Sequence, residues 1–356
     1  MVRSLVWPLR ALAGALVLTT GCVELPTDTP IIDQRWVVPS DSTTLAVDRI
    51  LPSSVTVVGN SFQVAVPTVN TSQLLAQFCS QCTVGMGAIP KPAFTTNIAA
   101  SAALPSDVAA ATLVSGTVVV GITNGLPFDI IRPSATARGV VTIAISNNGA
   151  LIGTDTIAGN SSSMPPNTRV DRTITLRAGT VLSGPLEVQV RIVSPEGDPV
   201  QFAATQNISV QGVPSNIRVS RATVLLTNRT VSTAATTVDL SDVDDGIRDR
   251  TEGGALLVFI ANPFALRGNL TLTLSAPGIA PVVKALRLDA ASPGTTPQRL
   301  EFTRDEIRSL FGRDNLALTV SGPVSGTGTG GAVDVLPGMQ AVMSTRFEVA
   351  VRLGGN

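Results

Sequence analysis

Apolar residues recur at every second position in many short runs, and this period of two constrains the fold more than any other feature of the 356-residue chain. Val141, Ile143 and Ile145 alternate with Thr142, Ala144 and Ser146, and Leu186, Val188, Val190 and Ile192 alternate with Glu187, Gln189 and Arg191. Leu270, Leu272 and Leu274 interleave with Thr271, Thr273 and Ser275, as Phe347, Val349 and Val351 do with Glu348, Ala350 and Arg352. Each run places its apolar side chains on one face of a strand, and the Gly, Pro, Asn and Ser clusters between runs punctuate an antiparallel chain. Long helical periodicity is absent, so the chain is expected to be all-β.

Two short helices are expected among the strands. Thr303 followed by Glu306, then Ile307, Leu310 and Phe311 on one face and Gly312 at the end, has the capping box, apolar stripe and terminal glycine of a helix. Ser72 to Cys79, with Leu74 and Phe78 four apart, is the second. Both are expected to plug the end of a sheet.

The chain also echoes itself. Leu104-Pro105-Ser106-Asp107-Val108 resembles Leu240-Ser241-Asp242-Val243, and the stretch from Ser115 to Phe128 resembles that from Gly253 to Phe264. The alternating run ending at Ser146 matches the one ending at Ser275, and Leu186–Val190 matches Leu316–Val320. Phe128 to Phe264 is an offset of 136 and Ser146 to Ser275 one of 129, so a loop is shorter in the second copy. Four landmarks in one order point to a duplication, with the halves at 45–212 and 213–356.

Composition excludes much chemistry. There is no His and no Tyr, which removes imidazole bases, His-ligated metals and Ser/His or Cys/His nucleophile systems. Lys91 and Lys284 are the only lysines, no basic block exists, and nothing marks a nucleic-acid partner. No SxxK or GxSxG motif appears, and two Trp with ten Phe offer few of the aromatic platforms on which saccharide sites depend. The expectation is a protein that is not an enzyme and has no cofactor.

Residues 1–22 read MVRSLVWPLRALAGALVLTTGC, with Arg3 and Arg10 ahead of an uncharged run from Ala11 to Thr20. The run is half the ~20 residues a spanning helix needs and reads as a secretory signal. Leu18-Thr19-Thr20-Gly21-Cys22 resembles the bacterial lipobox, which implies cleavage before Cys22 and acylation of its sulfur. Val23 follows where enteric bacteria place Asp to retain a lipoprotein at the inner membrane, so the resemblance implies the outer membrane. Losing Arg3 and Arg10 with residues 1–21 leaves 23 basic against 25 acidic side chains, a balance that selects no partner. Residues 22–44, with Pro26, Pro30 and Pro39 among Thr, Ser and Asp, read as an acylated cysteine and an extended tether that Trp36 docks on the first domain.

Cys79 and Cys82 remain, spaced CxxC in a compartment that oxidises thiols, and a local disulfide is expected. A redox motif would need a βαβ context, and a zinc site would need about four ligands.

Asn124-Gly125-Leu126-Pro127-Phe128, followed by the strand at 140–146 and the turn Asn147-Asn148-Gly149, resembles the late-embryogenesis-abundant type 2 (WHy) domain, whose mark is a strand running into Asn-Pro-x-Pro-Phe. Asn124, Pro127 and Phe128 match, Gly125 departs from the pattern, and the second copy keeps Asn262-Pro263-Phe264 without the spacer. Together with the duplication, the resemblance implies two tandem related immunoglobulin-like β-sandwich domains without catalytic residues. The same residues also read simply as a strand-end turn with a core Phe.

Asp239, Asp242, Asp244, Asp245, Asp249 and Glu252 form the densest acid cluster, and Asp242, Asp244, Asp245 and Asp249 are a candidate calcium loop. An EF-type register fails, because counting from Asp242 places Gly246 at position 5, and Arg248 and Arg250 neutralise the cluster, so a solvated loop is expected. Gly326-Thr327-Gly328-Thr329-Gly330-Gly331 continues into a strand pattern with no Lys nearby and reads as a flexible hairpin tip, not a phosphate cradle.

Two functions fit. The first is a structural or interaction lipoprotein of the bacterial envelope, anchored by Cys22, with envelope proteins as partners. The second is a carrier of lipid or another apolar ligand, in which β-rich pseudo-repeats enclose the cargo as in the tubular lipid-binding superfamily. Val118, Val120, Ile122, Leu256, Val258 and Ile260 discriminate: a filled core supports the first reading, and a continuous cavity of ~300–1,000 Å³ the second.

Overall fold

A computed structural model describes residues 32–82, 85 and 87–353. Strand accounts for 58% of the chain and helix for 7%, which makes it all-β. β1 (Ile32–Ala46) is followed by β2 (Val55–Val58), β3 (Ser61–Val64), β4 (Val69–Leu74), α1 (Leu75–Phe78) and β5 (Ile89–Lys91). β6 (Phe94–Ala102), β7 (Val108–Asn124), β8 (Val140–Asn147), β9 (Ala150–Ala158), β10 (Thr168–Thr175), β11 (Val181–Leu182), β12 (Leu186–Ser194) and β13 (Gly197–Val200) lead to the long β14 (Asn207–Leu225). β15 (Arg229–Ser232), β16 (Thr236–Val238), α2 (Asp245–Arg250), β17 (Thr251–Ala261), β18 (Leu266–Ser275), β19 (Val282–Leu288) and β20 (Gln298–Phe302) follow. α3 (Arg304–Leu310), β21 (Leu316–Gly326), β22 (Ala332–Val335) and β23 (Gln340–Leu353) complete the chain.

These strands build two sandwiches. In the first, a sheet of order β4-β14-β7-β10 faces one of order β6-β12-β8-β9. In the second, β1-β23-β17-β20 faces a sheet in which β15 and β16 together flank β21, followed by β18 and β19. Contacts of β4 with β6 and of β9 with β10 close the flanks of the first, and contacts of β1 with β16 and of β19 with β20 close those of the second. Numbering the eight strands of either sandwich in the order the topology uses them, the sheets run 1-8-3-6 and 2-7-4-5. That is the jelly-roll order, built from two Greek keys.

The sandwich architecture is therefore as expected, but the immunoglobulin-like strand order implied by the WHy resemblance gives way to the jelly roll. Alternation shows which residues face inward and is blind to which strands are neighbours, so it cannot separate the two topologies. The repeat landmarks, by contrast, fall at equivalent places in the two ladders. Val188 pairs with Ile145 and Val190 with Ile143 in the first roll, and Leu318 pairs with Leu274 and Val320 with Leu272 in the second.

The expected boundaries need two corrections. The segment read as a tether up to residue 44 is strand from Ile32 onward, paired with β23 from Ile32↔Leu353 to Ala46↔Gln340. Ser42 and Thr44 are exposed, as suits a sheet edge that stays wet on one side, and Pro39 sits where the register shifts, so its missing N–H breaks no regular ladder. Trp36 lies opposite Val349 in this ladder, and its side chain is outside the described residues, as are Cys22 and the whole signal segment. The boundary at 212/213 falls inside β14, which pairs with β7 from Ile208↔Asn124 to Val224↔Val108. The second roll thus draws its first strand from the start of the described chain and its other strands from residues 229–353.

Beyond the first roll, β7 and β14 continue into a junction where β14 also pairs with β3 and β22. Val47 N donates to Met339 O (3.0 Å) and Leu226 N to Gly331 O (2.8 Å), tying the rolls together there. α3 forms as expected: Glu306 N donates to Thr303 Oγ1 (3.3 Å), Thr303 N donates to Glu306 Oε2 (2.8 Å), and Gly312 takes a positive φ of 73°. Ile307 packs where a Cβ on Gly254 would stand 2.3 Å from its Cδ1, so only glycine lets the helix seat on β17. The expected helix at Ser72–Cys79 shrinks to the single turn of α1, because Ser72–Leu74 are claimed by the ladder with β14.

Removing residues 23–46 tests the role of β1. A free tether would leave stability unchanged, whereas loss of β1 exposes the β23 ladder, so a chain starting at Val47 is expected to melt several degrees below one starting at Val23 by calorimetry.

Candidate functional site

The most constrained polar centre lies at the end of the first roll remote from the second. Lys91 ends β5, which pairs with β13 to cap the roll, and its side chain is 0% exposed. Its Nζ donates to Ser194 Oγ (2.7 Å) and to the Pro195 carbonyl. Ser194 Oγ in turn donates to Ile130 O (2.6 Å), so its proton is committed and the amine must be the donor between them. Nζ also lies 4.5 Å from the ring centroid of Phe94 and 5.2 Å from that of Phe128, within cation–π range. Phe78, Phe94, Phe128 and Phe202 form a continuous chain of ring contacts around it. Burial pulls the Lys91 amine down from 10.5 to about 7, opposed by the charge of Glu196.

A lysine beside a serine at this distance can act as a base in acyl transfer. Here Ser194 is 1% exposed, its proton is turned toward a carbonyl, and the phenyl rings cover the amine. The arrangement holds β5, β12 and the 130 loop together and leaves no approach for a substrate carbonyl. Motif reading could not find it, because Lys91 and Ser194 stand 103 residues apart. One signal was present: between Arg49 and Asp107 the chain carries a single charged residue, Lys91, set between Pro90 and Pro92.

The second built feature is the asparagine that ends the third strand of each roll. Asn124 Oδ1 accepts from Leu126 N (2.9 Å), and its Nδ2 donates to Phe128 O (2.8 Å) and Met164 O (2.8 Å). Asn262 Oδ1 accepts from Phe264 N (3.1 Å), and its Nδ2 donates to Leu266 O (3.0 Å) and Asp289 O (2.8 Å). Both side chains are buried. The equivalence corrects the sequence alignment of the two copies: Asn124 answers to Asn262, so Phe264 takes the place of Leu126, not that of Phe128. In both rolls the asparagine satisfies backbone groups where the strand ends.

The remaining motifs dissolve into local structure. Cys79 and Cys82 are joined in a disulfide with Cα atoms 5.4 Å apart, and both are buried. In the acid cluster, Asp244 accepts from Gly246 N (2.7 Å) as the cap of α2, Asp245 pairs with Arg248 (3.0 Å), and Asp249 lies 3.9 Å from the same guanidinium. Asp239 accepts from the Ser241 hydroxyl and N–H, which hold its carboxyl below the usual range. Among the described residues no three metal-ligating side chains converge, so Asp242, Asp244, Asp245 and Asp249 are not gathered into a calcium loop. The glycine-rich segment is not a free hairpin tip. Gly331 (φ +84°) packs so closely on the junction that an added Cβ would stand 2.6 Å from Leu226 O.

Lys284, the other lysine, donates to both carboxylate oxygens of Glu306 (2.9 and 2.8 Å) and lies 5.1 Å from the Phe302 ring centroid. Burial would raise the Glu306 carboxyl, but the Lys284 bond and the Thr303 N–H outweigh it and hold it below its ordinary range.

Val118, Val120, Ile122, Leu256 and Val258 are 0% exposed and Ile260 is 7% exposed. Ile260 alone borders an apolar space, of about 30 Å³ and lined also by Leu45, Leu270, Leu286 and Met343. That is room for about one water molecule, far below a lipid.

Asn124→Ala would leave Leu126 N, Phe128 O and Met164 O short of a buried partner, and is expected to cost about 3 kcal/mol in urea unfolding, as is Asn262→Ala. The Lys91 shift gives a pH signature. Below about pH 7 the amine is charged in both states and the cost of burying the charge is fully present; from about 7 toward 10.5 the unfolded chain holds a proton that the folded chain lacks, so stability rises with pH. Lys91→Met removes that slope, so its urea midpoint relative to wild type is expected to fall between pH 6 and pH 10.

No family model and no curated protein matches the chain. Among solved structures, a protein of Parabacteroides distasonis thought to be secreted aligns over 89% of this chain and 99% of its own, at 11% identity and a TM-score of 0.35. The VP54 protein of PBCV-1, fitted into a reconstruction of the virophage Sputnik, aligns over 82% and 97% at 9% identity and a TM-score of 0.16. A structure of infectious bursal disease virus, strain Gx, aligns over 86% and 74% at 13% identity and a TM-score of 0.17.

Proposed function

We propose that this chain is a bacterial envelope lipoprotein, anchored by acylated Cys22 at the outer membrane, with a structural or protein-interaction role and no catalytic one. The observation that carries the reading against its rival is the filled interior: the six side chains that would line a ligand tube are buried in packed cores. An apolar-ligand carrier needs a lined volume of ~300–1,000 Å³, and the one apolar space that any of these six residues borders, at Ile260, is about 30 Å³. The one buried amine and its serine neighbour are sealed, which supports a non-catalytic role.

The course of β1 adds to the reading. Ile32 lies ten positions after Cys22, a reach of at most ~35 Å when fully extended. Ile32 pairs with Leu353 at the end of the second roll that carries α2, remote from the junction at Gln340. Anchoring would set the second roll near the bilayer and leave the capped end of the first free to meet other envelope proteins.

Cys22→Ala is expected to abolish incorporation of an alkyne fatty acid and to release the protein from the membrane fraction, with label and release read on the same blot. Membrane retention of an unlabelled Cys22→Ala chain would overturn the anchor. Native mass spectrometry of the chain from Val23 is expected to give an apo mass, and one bound lipid per chain would restore the carrier.

A further inference from the structure

Each jelly roll has four edge strands, and their sequences differ in one respect. In the second roll β1 carries Asp33, Arg35 and the irregularity after Pro39, β15 carries Arg229 and breaks off before β16, β19 carries Lys284 and Arg287, and β20 carries Arg299 and Glu301. In the first roll β10 carries Arg169, Asp171 and Arg172, and β9 carries Asp155, joined to Arg172 at 2.6 Å across that flank. Charges, prolines, bulges and short lengths are the devices by which sheets prevent edge-to-edge pairing. The remaining two edges, β4 and β6, have no charge and no proline.

These two edges flank the same side of the first roll, linked by Thr96 Oγ1 donating to Gln73 Oε1 (2.9 Å). They lie in the stretch from Ile50 to Ser106, whose one charged residue, Lys91, is buried. Depletion of charge is what distinguishes the centre of an interface from ordinary surface. β6 is the longer edge. It runs nine residues without a register shift, pairs with β12 on one side, and among the described residues its other side has no strand. The edge at the same place in the strand order of the second roll is broken into β15 and β16, so the jelly roll does not require a continuous strand here.

We infer that β6 is a dimerisation edge, pairing antiparallel with β6 of a second copy of this chain so that two four-stranded sheets become one. The occupant follows from the sequence of the strand, FTTNIAASA. With the two-fold axis at Ile98, exposed Thr95 stands opposite Ser101 of the second copy and exposed Asn97 opposite Ala99, while on the inner face bulky Phe94 meets Ala102 and Thr96 meets Ala100. Every pair is neutral, Thr with Ser is a favoured cross-strand pair, and large residues face small ones. Self-pairing of this edge strips no charged side chain of water, whereas in each of the six edges that carry charge it would bring at least one into the seam. The contact is isologous and closes after two chains, so it does not propagate into fibres.

The test uses the mature chain purified in detergent. Opposed Cα atoms in an antiparallel ladder lie ~4.5–5.5 Å apart, within disulfide reach, so Asn97→Cys with Ala99→Cys is expected to crosslink to a dimer with copper phenanthroline. The rate is expected to exceed that of Thr173→Cys on the charged β10 edge at least tenfold. Asn97→Lys with Ala99→Lys places like charges across the axis on exposed positions and is expected to turn a dimer into a monomer by sedimentation velocity, with the far-ultraviolet circular dichroism spectrum of the wild type retained. A wild-type chain that is monomeric at about 100 µM, crosslinking no faster than the β10 control, or a dimer that survives the lysine pair would each overturn the inference. Pairing of β6 with a different protein in place of a second copy would appear as the first of these outcomes.

Discussion

The ladder between β7 and β14 is the constraint on which the rest of the molecule depends. Its inner part forms the middle of one sheet of the first roll, and its outer part continues past the roll into the junction, where β3 and β22 join β14. A shift in this one register would move Val118, Val120 and Ile122 out of the core and displace the junction contacts at the same time, because side chains alternate faces along a strand. The bulges between Ser215 and Val219 let the strand change course without breaking. Gly116 belongs to the same adjustment, since a Cβ there would stand 2.8 Å from Ile217 Cδ1.

Against this shared spine, the likeness of the two rolls is one of polar solutions as much as of strand order. Asn124 and Asn262 each resolve the same problem, a strand leaving the sheet under cover where water cannot satisfy its backbone. Each does so with one acceptor and one forked donor. The two lysines differ in that Lys284 meets a carboxylate at the edge of the second roll, whereas Lys91 is held by a hydroxyl, a carbonyl and two rings inside the cap of the first. Two copies of one fold thus keep their strand-end asparagines in common and diverge at their exposed edges and caps.

The inward positions of the strands, the landmarks at Ser146 and Ser275, the capping box at Thr303 and the pairing of Cys79 with Cys82 rest on local spacing, and local spacing is what a sequence displays. Strand neighbours are set by loop closure over long separations, so the jelly-roll order lay beyond reach, as did the return of Ile32–Ala46 to a sheet whose other members begin after residue 250. Lys91 and Ser194 were invisible as a pair for the same reason. Phe128 and Phe264 do not correspond, because phenylalanine fills whatever space a turn leaves, while the asparagine bonds only in one geometry.

The ladder of β1 with β23 has a mechanical meaning under the proposed anchoring. Tension from the bilayer would enter at Ile32 and run along the axis of β1, with the bulk of the molecule behind it. Force in that direction shears the ladder and is shared among all its pairs, in contrast to a pull across the strand that opens them one after another. With that anchor, the strand that takes the load would also be the strand that closes the second roll, and a tug from the envelope would meet the ladder lengthwise.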